Sequence, residues 1–179
     1  MATILDRLLF FTGLEGSGRL SLRSNILGDT KKKYTAIFWL NANDEDSLAL
    51  NFRDIAQQVL KYHPSTDVLV SLNLEGSLDQ VVNQVKTWLD LRDNTRWLMI
   101  YDNYDNPRTP GNPDSLAVDV RRFLPSSDHG SIIITTRSSQ VSQGQRIHVL
   151  KLPNIQGLQI LSNTSGRKGI ENGMLCDKC

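Results

Sequence analysis

Leu8-Leu9-Phe10-Phe11-Thr12-Gly13-Leu14-Glu15-Gly16-Ser17-Gly18-Arg19-Leu20 is the stretch whose reading decides the fold: an apolar run enters a turn carrying three glycines. A short apolar run that ends at a glycine turn predicts a buried strand feeding a tight loop. The spacing follows G-x-x-x-x-G-K-[ST], with Gly13 and Gly18 in place and Arg19 and Leu20 standing where the pattern has Lys and Ser or Thr. Glycines at 13, 16 and 18 let the backbone come close to a ligand. Successive amides, Ser17 among them, then face a concavity suited to phosphate oxygens. Arg19 keeps a positive charge but presents its donors in a planar fork rather than at a compact ammonium. Leu20 supplies no oxygen to a magnesium ion. Ser21 is one residue along, and a helix turns it about 100° away. Two readings stay open for the loop: a main-chain cradle for a diphosphate, or a structural turn.

Outward from this stretch, apolar runs alternate with helical patterns, as in βα units stacked around a parallel sheet. Residues 19–27 carry a short, poorly patterned helix that Gly28 ends. Thr35 to Leu40 reads as a buried strand. A polar segment from Asn41 to Asp46 starts the next helix, in which Leu48, Phe52, Ile55, Val59 and Leu60 recur at helical spacing until Pro64 stops it. Ser77 and Gln80 have the spacing of a capping box ahead of a helix whose apolar face is Leu78, Val81, Val82, Val85, Trp88 and Leu89. Trp97 to Tyr101 is the central strand candidate, with Asp102 at its polar end. Residues 103–114 are loop by their Pro, Gly and Asn content, and Ser115 to Phe123 forms a short helix. Ser131 to Thr135 is a further strand, Arg146 to Leu150 a fifth, and Asn154 to Leu161 a last helix. Beyond Leu161 the pattern fades. The chain is read as one domain over 1–165 and a flexible tail over 166–179.

A chain of 179 residues with 39% apolar and 22% charged residues and a formal charge of +1 is long enough for one cored domain. Its charge balance gives no reason to expect nucleic acid or an anionic membrane as partner. No apolar run reaches the roughly 18 to 20 residues needed to cross a bilayer. Asp6 and Arg7, with no small-residue cleavage site after them, argue against a secretory signal. Cys176 and Cys179 are the sole cysteines, so the expectation is a reducing, cytoplasmic setting.

Beyond the glycine loop, two strand ends carry chemistry. Asp102 closes Trp97-Leu98-Met99-Ile100-Tyr101, where a carboxylate after an apolar strand can hold magnesium through water. It can equally cap a turn. Asn103 follows in place of a second acid, so no general base is evident; Asp105 either approaches the site or is solvated. Thr135, Thr136 and Arg137 end another strand, where hydroxyls and a guanidinium can sense a terminal phosphate or form an ordinary exposed turn. Cys176 and Cys179 have redox spacing but no following helix. His63, His129 and His148 sit on separate elements, Lys31 to Lys33 is a solvated turn, and Trp39, Trp88 and Trp97 are packing residues.

Taken together, GLEGSG at 13–18, KYTAIFWLNA at 33–42, WLMIYDNYDNP at 97–107 and GSIIITTRS at 130–138 give a chain that resembles the NB-ARC-type signal-transduction NTPases. The likeness is greatest to the fungal proteins in which this domain precedes tetratricopeptide repeats. It implies a P-loop NTPase-like three-layer α/β/α fold with a mostly parallel five-stranded sheet, and binding of ADP exchanged for ATP. It further implies phosphate-loop roles for Gly13, Gly16, Ser17 and Gly18, with Arg19 and Leu20 at the family's Lys and Thr. Asp102 falls at the magnesium-side aspartate that serves catalysis, and Arg137, with Thr136 beside it, at the nucleotide-sensing arginine. No Gly-Leu-Pro-Leu motif follows Leu161, and the helical and winged-helix subdomains of the family are not found. The expectation is therefore an incomplete domain that binds ADP or ATP, with magnesium weakened and hydrolysis weak or absent. The alternatives are a non-enzymatic module pairing with homologous NB-ARC proteins, or a degraded gene fragment.

Overall fold

The computed structural model describes residues 8–12, 33–64, 67–70, 72–141, 144–148, 155 and 162. The strands are β1 (Leu8–Thr12), β2 (Ala36–Asn41), β3 (Trp97–Asp102), β4 (Ser131–Thr136) and β5 (Gln145–His148). The helices are α1 (Glu45–Tyr62), α2 (Asp67–Val70) and α3 (Leu78–Leu89), with a 3-10 turn at Val120–Phe123. The chain is thus α/β with a parallel sheet: the strand order is β2-β3-β4-β1-β5, and each neighbouring pair runs parallel.

The period of two along each strand divides the apolar residues between two faces. Phe38 and Leu40 of β2, Trp97, Met99 and Tyr101 of β3, and Ile132 and Ile134 of β4 share one core with Leu48, Phe52, Ile55 and Val59 of α1 and Val81, Val85 and Leu89 of α3. Leu98, Ile100 and Ile133 point the other way, with Tyr34, Ile37 and Trp39 packed beside them. Burial on both faces explains why β3 reads as an unbroken apolar run rather than as an alternation.

α1 begins where Asp44, in extended backbone, accepts bonds from the Ser47 amide at 2.7 Å and the Ser47 hydroxyl at 2.8 Å. The first bond satisfies one of the amides that the first helical turn leaves without partners, and both hold the Asp44 carboxyl below its ordinary range. Glu45 and Asp46 add charge suited to the helix's positive end, and Lys61 lies in the last turn. Edge-on packing of Phe38 against Trp88, with ring centroids 6.2 Å apart, joins β2 to α3.

Three expectations need correction. Ser77 precedes α3 but its side chain makes no capping bond, so the Ser77–Gln80 box does not form. The helix is held instead by its apolar face, which packs on α1 and the sheet. Ser115 to Phe123 is not a helix apart from the 3-10 turn. The Asp114 carboxylate takes the Leu116 amide at 2.8 Å and that of Asp119 takes Arg121 at 3.2 Å, which are side-chain substitutes for helical bonding. The segment after Pro64, expected as loop, contains α2, whose Leu69 is wholly buried in the core. The helices expected at 19–27 and, apart from Ile155, at 154–161 lie outside the described residues, as does the tail from 166 to 179. No helix among the described residues is long and apolar enough to cross a membrane.

Candidate functional site

The strand order locates a crevice. From β1 the chain moves three places to reach β2 on one side, whereas from β4 it moves two places to reach β5 on the other. Adjacent strands that send the chain in opposite directions leave a gap outside their carboxyl ends, where ligands of open α/β sheets bind. β1 and β4 are such a pair, and their registers end together at Thr12 and Thr136. Gly13 follows Thr12 directly and Arg137 follows Thr136. Asp102 ends the next strand along, level with Asn41 of β2.

Side chains at these ends are tied to one another. The Thr135 hydroxyl donates to Oδ1 of Asp102 and accepts from the Asn103 amide at 3.1 Å. The Tyr104 amide donates to the Thr135 carbonyl at 3.0 Å. Asn103 takes φ 68°, a left-handed conformation that asparagine tolerates, and this turns the chain sharply after Asp102. The Thr136 hydroxyl is fully buried, donates to the Tyr104 carbonyl and accepts from the Ser138 amide at 2.9 Å. It shapes the turn into Arg137 rather than facing solvent. Burial pushes the Tyr104 phenol up, and its hydroxyl donates to the Val118 carbonyl at 3.1 Å, which anchors the loop after β3 from below.

Arg137 is exposed, yet it is gripped. Its amide donates to Oδ1 of Asp105 at 2.7 Å, while Nε and Nη2 both reach Oδ2 at 2.7 Å. One carboxylate thus takes the backbone amide of Arg137 on one oxygen and two guanidinium nitrogens on the other, charge-assisted contacts that hold the residue by main chain and side chain together. Both residues lie in the wall of an open depression of about 640 Å³, shared with Asn106, Ser138 and Gln140.

Asp102, Thr136 and Arg137, singled out from sequence, are therefore brought to one end of the sheet. Gly13, Gly16, Ser17, Gly18, Arg19 and Leu20 lie outside the described residues, as do Cys176 and Cys179. The histidines stay apart: His63 caps α1, His129 packs edge-on against Trp97, and His148 ends β5. Among the described residues no group of three or more His, Cys, Asp or Glu side chains could hold a metal ion. The grip of Asp105 on Arg137 is what sequence reasoning left undecided, and its sole signal was the place of Asp105 in the loop just after Asp102. No family model matches the chain, and no curated protein matches its sequence, so the case for what it does rests on this cluster of strand ends.

Proposed function

We propose that the chain is an adenine-nucleotide-binding domain of the NB-ARC kind, with a P-loop NTPase-like three-layer arrangement, that holds ADP and hydrolyses ATP weakly or not at all. The observation that carries this reading is the register of Thr12 with Thr136 at the point where the strand order reverses, with Asp102 one strand further along. In this reading the Gly13–Gly18 loop, continuing from Thr12, offers its main-chain amides, Ser17 among them, to the diphosphate, and Arg19 adds charge. Asp102, oriented by the Thr135 hydroxyl, faces a magnesium ion through water, a role that one carboxylate suffices for. Arg137 lies where a terminal phosphate would be sensed. Leu20 removes the usual hydroxyl ligand of that magnesium, a loss of about 1.5 to 3 kcal/mol by the scale of charge-assisted bonds. Diphosphate binding with little dependence on magnesium follows. A cytoplasmic setting, where adenine nucleotides are abundant, fits this role.

Calorimetry of the folded chain with ADP and ATP, with and without magnesium, tests the proposal. Binding should appear with both nucleotides, change little with magnesium, and be abolished by Gly18→Val, whose branched side chain would fill the cradle. A folded protein that binds neither nucleotide, or a Gly18→Val variant that binds as well as the parent, refutes it.

A further inference from the structure

We propose that Thr109 is a phosphorylation site for proline-directed serine/threonine kinases, its phosphate received by Arg108 and Arg121. A chain that bound no nucleotide would present the same site.

The acceptor is singled out by sequence. Of the six prolines, Pro110 alone follows a serine or threonine. A kinase groove that buries the backbone after the acceptor, and offers no oxygen for its amide, penalises every residue there except proline, which has no amide hydrogen.

The fold then presents it. The Arg108 amide donates to the Val118 carbonyl at 2.8 Å and the Asn112 amide to the Thr109 carbonyl at 3.0 Å, closing a turn whose tip is Thr109-Pro110-Gly111. Pro110 and Gly111 are exposed, and nothing lies within 4 Å of the Cβ position of Gly111, so the turn can be approached from solvent. The Thr109 hydroxyl donates to Oε1 of Gln140 at 3.3 Å, longer than a good O–H···O bond, so little is lost when the hydroxyl engages phosphorus instead.

The surroundings suit the product. Thr109 borders a depression of about 370 Å³ whose charged lining, among the described residues, is Arg108, Arg121 and Asp119, two cations to one anion. The Arg108 side chain is 51% exposed; its Nε donates to the Ala117 carbonyl at 3.0 Å, while its Nη2 stands 3.7 Å from Glu45, a loosely held edge. Arg121, 62% exposed, lies against Asp119. A phosphothreonine carries a charge of about −1.5 to −2 and three acceptor oxygens, more than either carboxylate offers, so both guanidiniums gain charge-assisted bonds by turning to it. Exchange of the Gln140 bond for these pins the loop after β3 to the 3-10 turn that carries Arg121.

The step is a phosphoryl transfer. Oγ1 of Thr109 bonds to the γ-phosphorus of the kinase's ATP, the bond from that phosphorus to the β,γ-bridging oxygen breaks, ADP leaves with the electron pair, and the hydroxyl proton passes to the kinase's catalytic aspartate.

The test incubates the folded full chain with ATP and purified kinases of the mitogen-activated and cyclin-dependent classes, maps the phosphate by tandem mass spectrometry, and checks every variant for an unchanged circular dichroism spectrum. Phosphate should enter Thr109, persist in Thr109→Ser, and fall to background in Thr109→Ala and Pro110→Ala. By phosphorus NMR the phosphothreonine should titrate below the value of about 6 for an exposed phosphomonoester, and move back toward it in Arg108→Ala and Arg121→Ala. No incorporation, incorporation that leaves Thr109 unmodified, or labelling of Thr109 that survives Pro110→Ala overturns the assignment of the site. A titration that neither arginine variant moves overturns the part given to Arg108 and Arg121.

Discussion

Gly130→Ala is the substitution whose cost the structure makes most explicit. Gly130 has φ +74°, and a Cβ built on it would lie 2.3 Å from Cε2 of Trp97 and 2.4 Å from Cδ2 and Cζ2. Those atoms belong to the flat face of a buried ring, so no flexible end can swing aside. Trp97 is 1% exposed, its Nε1 donates to the Leu89 carbonyl at 3.0 Å, and the His129 ring stands edge-on to it. Moving the ring would break that bond and disturb the α3–β3 packing. Overpacking of this kind costs about 1 to 3 kcal/mol, and holding alanine in the left-handed region adds about 1 to 2, for a loss of roughly 2 to 5 kcal/mol. For a chain of this size each kcal/mol lowers Tm by about 2 to 4 °C, so the midpoint should drop by about 4 to 20 °C. Urea unfolding followed by tryptophan fluorescence and near-ultraviolet circular dichroism measures it. Gly111→Ala is the matched control, since nothing lies within 4 Å of the Cβ it would gain, and its stability should stay within about 0.5 kcal/mol. Trp97→Phe, costly by itself, should make Gly130→Ala less damaging than it is in the parent, a coupling expected of residues in contact. A Gly130→Ala chain as stable as the parent, with the same denaturant slope, would refute the claimed contact.

Two further outcomes follow from named bonds. Tyr101→Phe deletes a buried hydroxyl that donates to the Phe123 carbonyl at 2.7 Å, leaving that carbonyl without its partner, so unfolding free energy should fall by about 1 to 3 kcal/mol in urea titration. Asp44→Ala removes the cap of α1 and should cost about 1 kcal/mol at neutral pH. Because the folded-state carboxyl of Asp44 lies below its ordinary 3.8, its contribution is fully present above that value and is lost as pH falls through the folded one. The gap between Asp44→Ala and the parent should therefore narrow on acidification, as paired melts from neutral pH downward would show.

Much of the fold can be read locally. The central strand announces itself as a continuous apolar run because both its faces are buried, and α1 and α3 do so because burial on one face imposes a period of about 3.6, which survives in Leu48–Val59 and Val81–Leu89. Pro64 ends α1 for a covalent reason, the absent amide. Local signals fail where polar side chains compete with the backbone. Asp119 diverts the Arg121 amide that a helix over 115–123 would need, and Ser77 has the composition of a cap without making its bond. α2 escapes a periodicity argument because it is too short to show one, and its Leu69 is fixed by the core beneath it.

By itself, then, the sequence determined the five strands, α1 and α3, and that Asp102, Thr136 and Arg137 lie at strand ends. Only the tertiary structure decided who meets whom. Thr135 orients Asp102 across 33 residues, Asp105 grips Arg137 across 32, and Gly130 lies bare against the Trp97 ring. These meetings depend on β4 lying between β1 and β3, a choice made by the packing of whole strands and helices. A residue's near neighbours in sequence carry the imprint of burial, but no trace of which distant strand will stand beside it. For that reason Gly130 drew no reading of its own, and Asp105 stood open between approaching the site and being solvated. Strand order turned the first into a packing requirement and the second into the partner of Arg137.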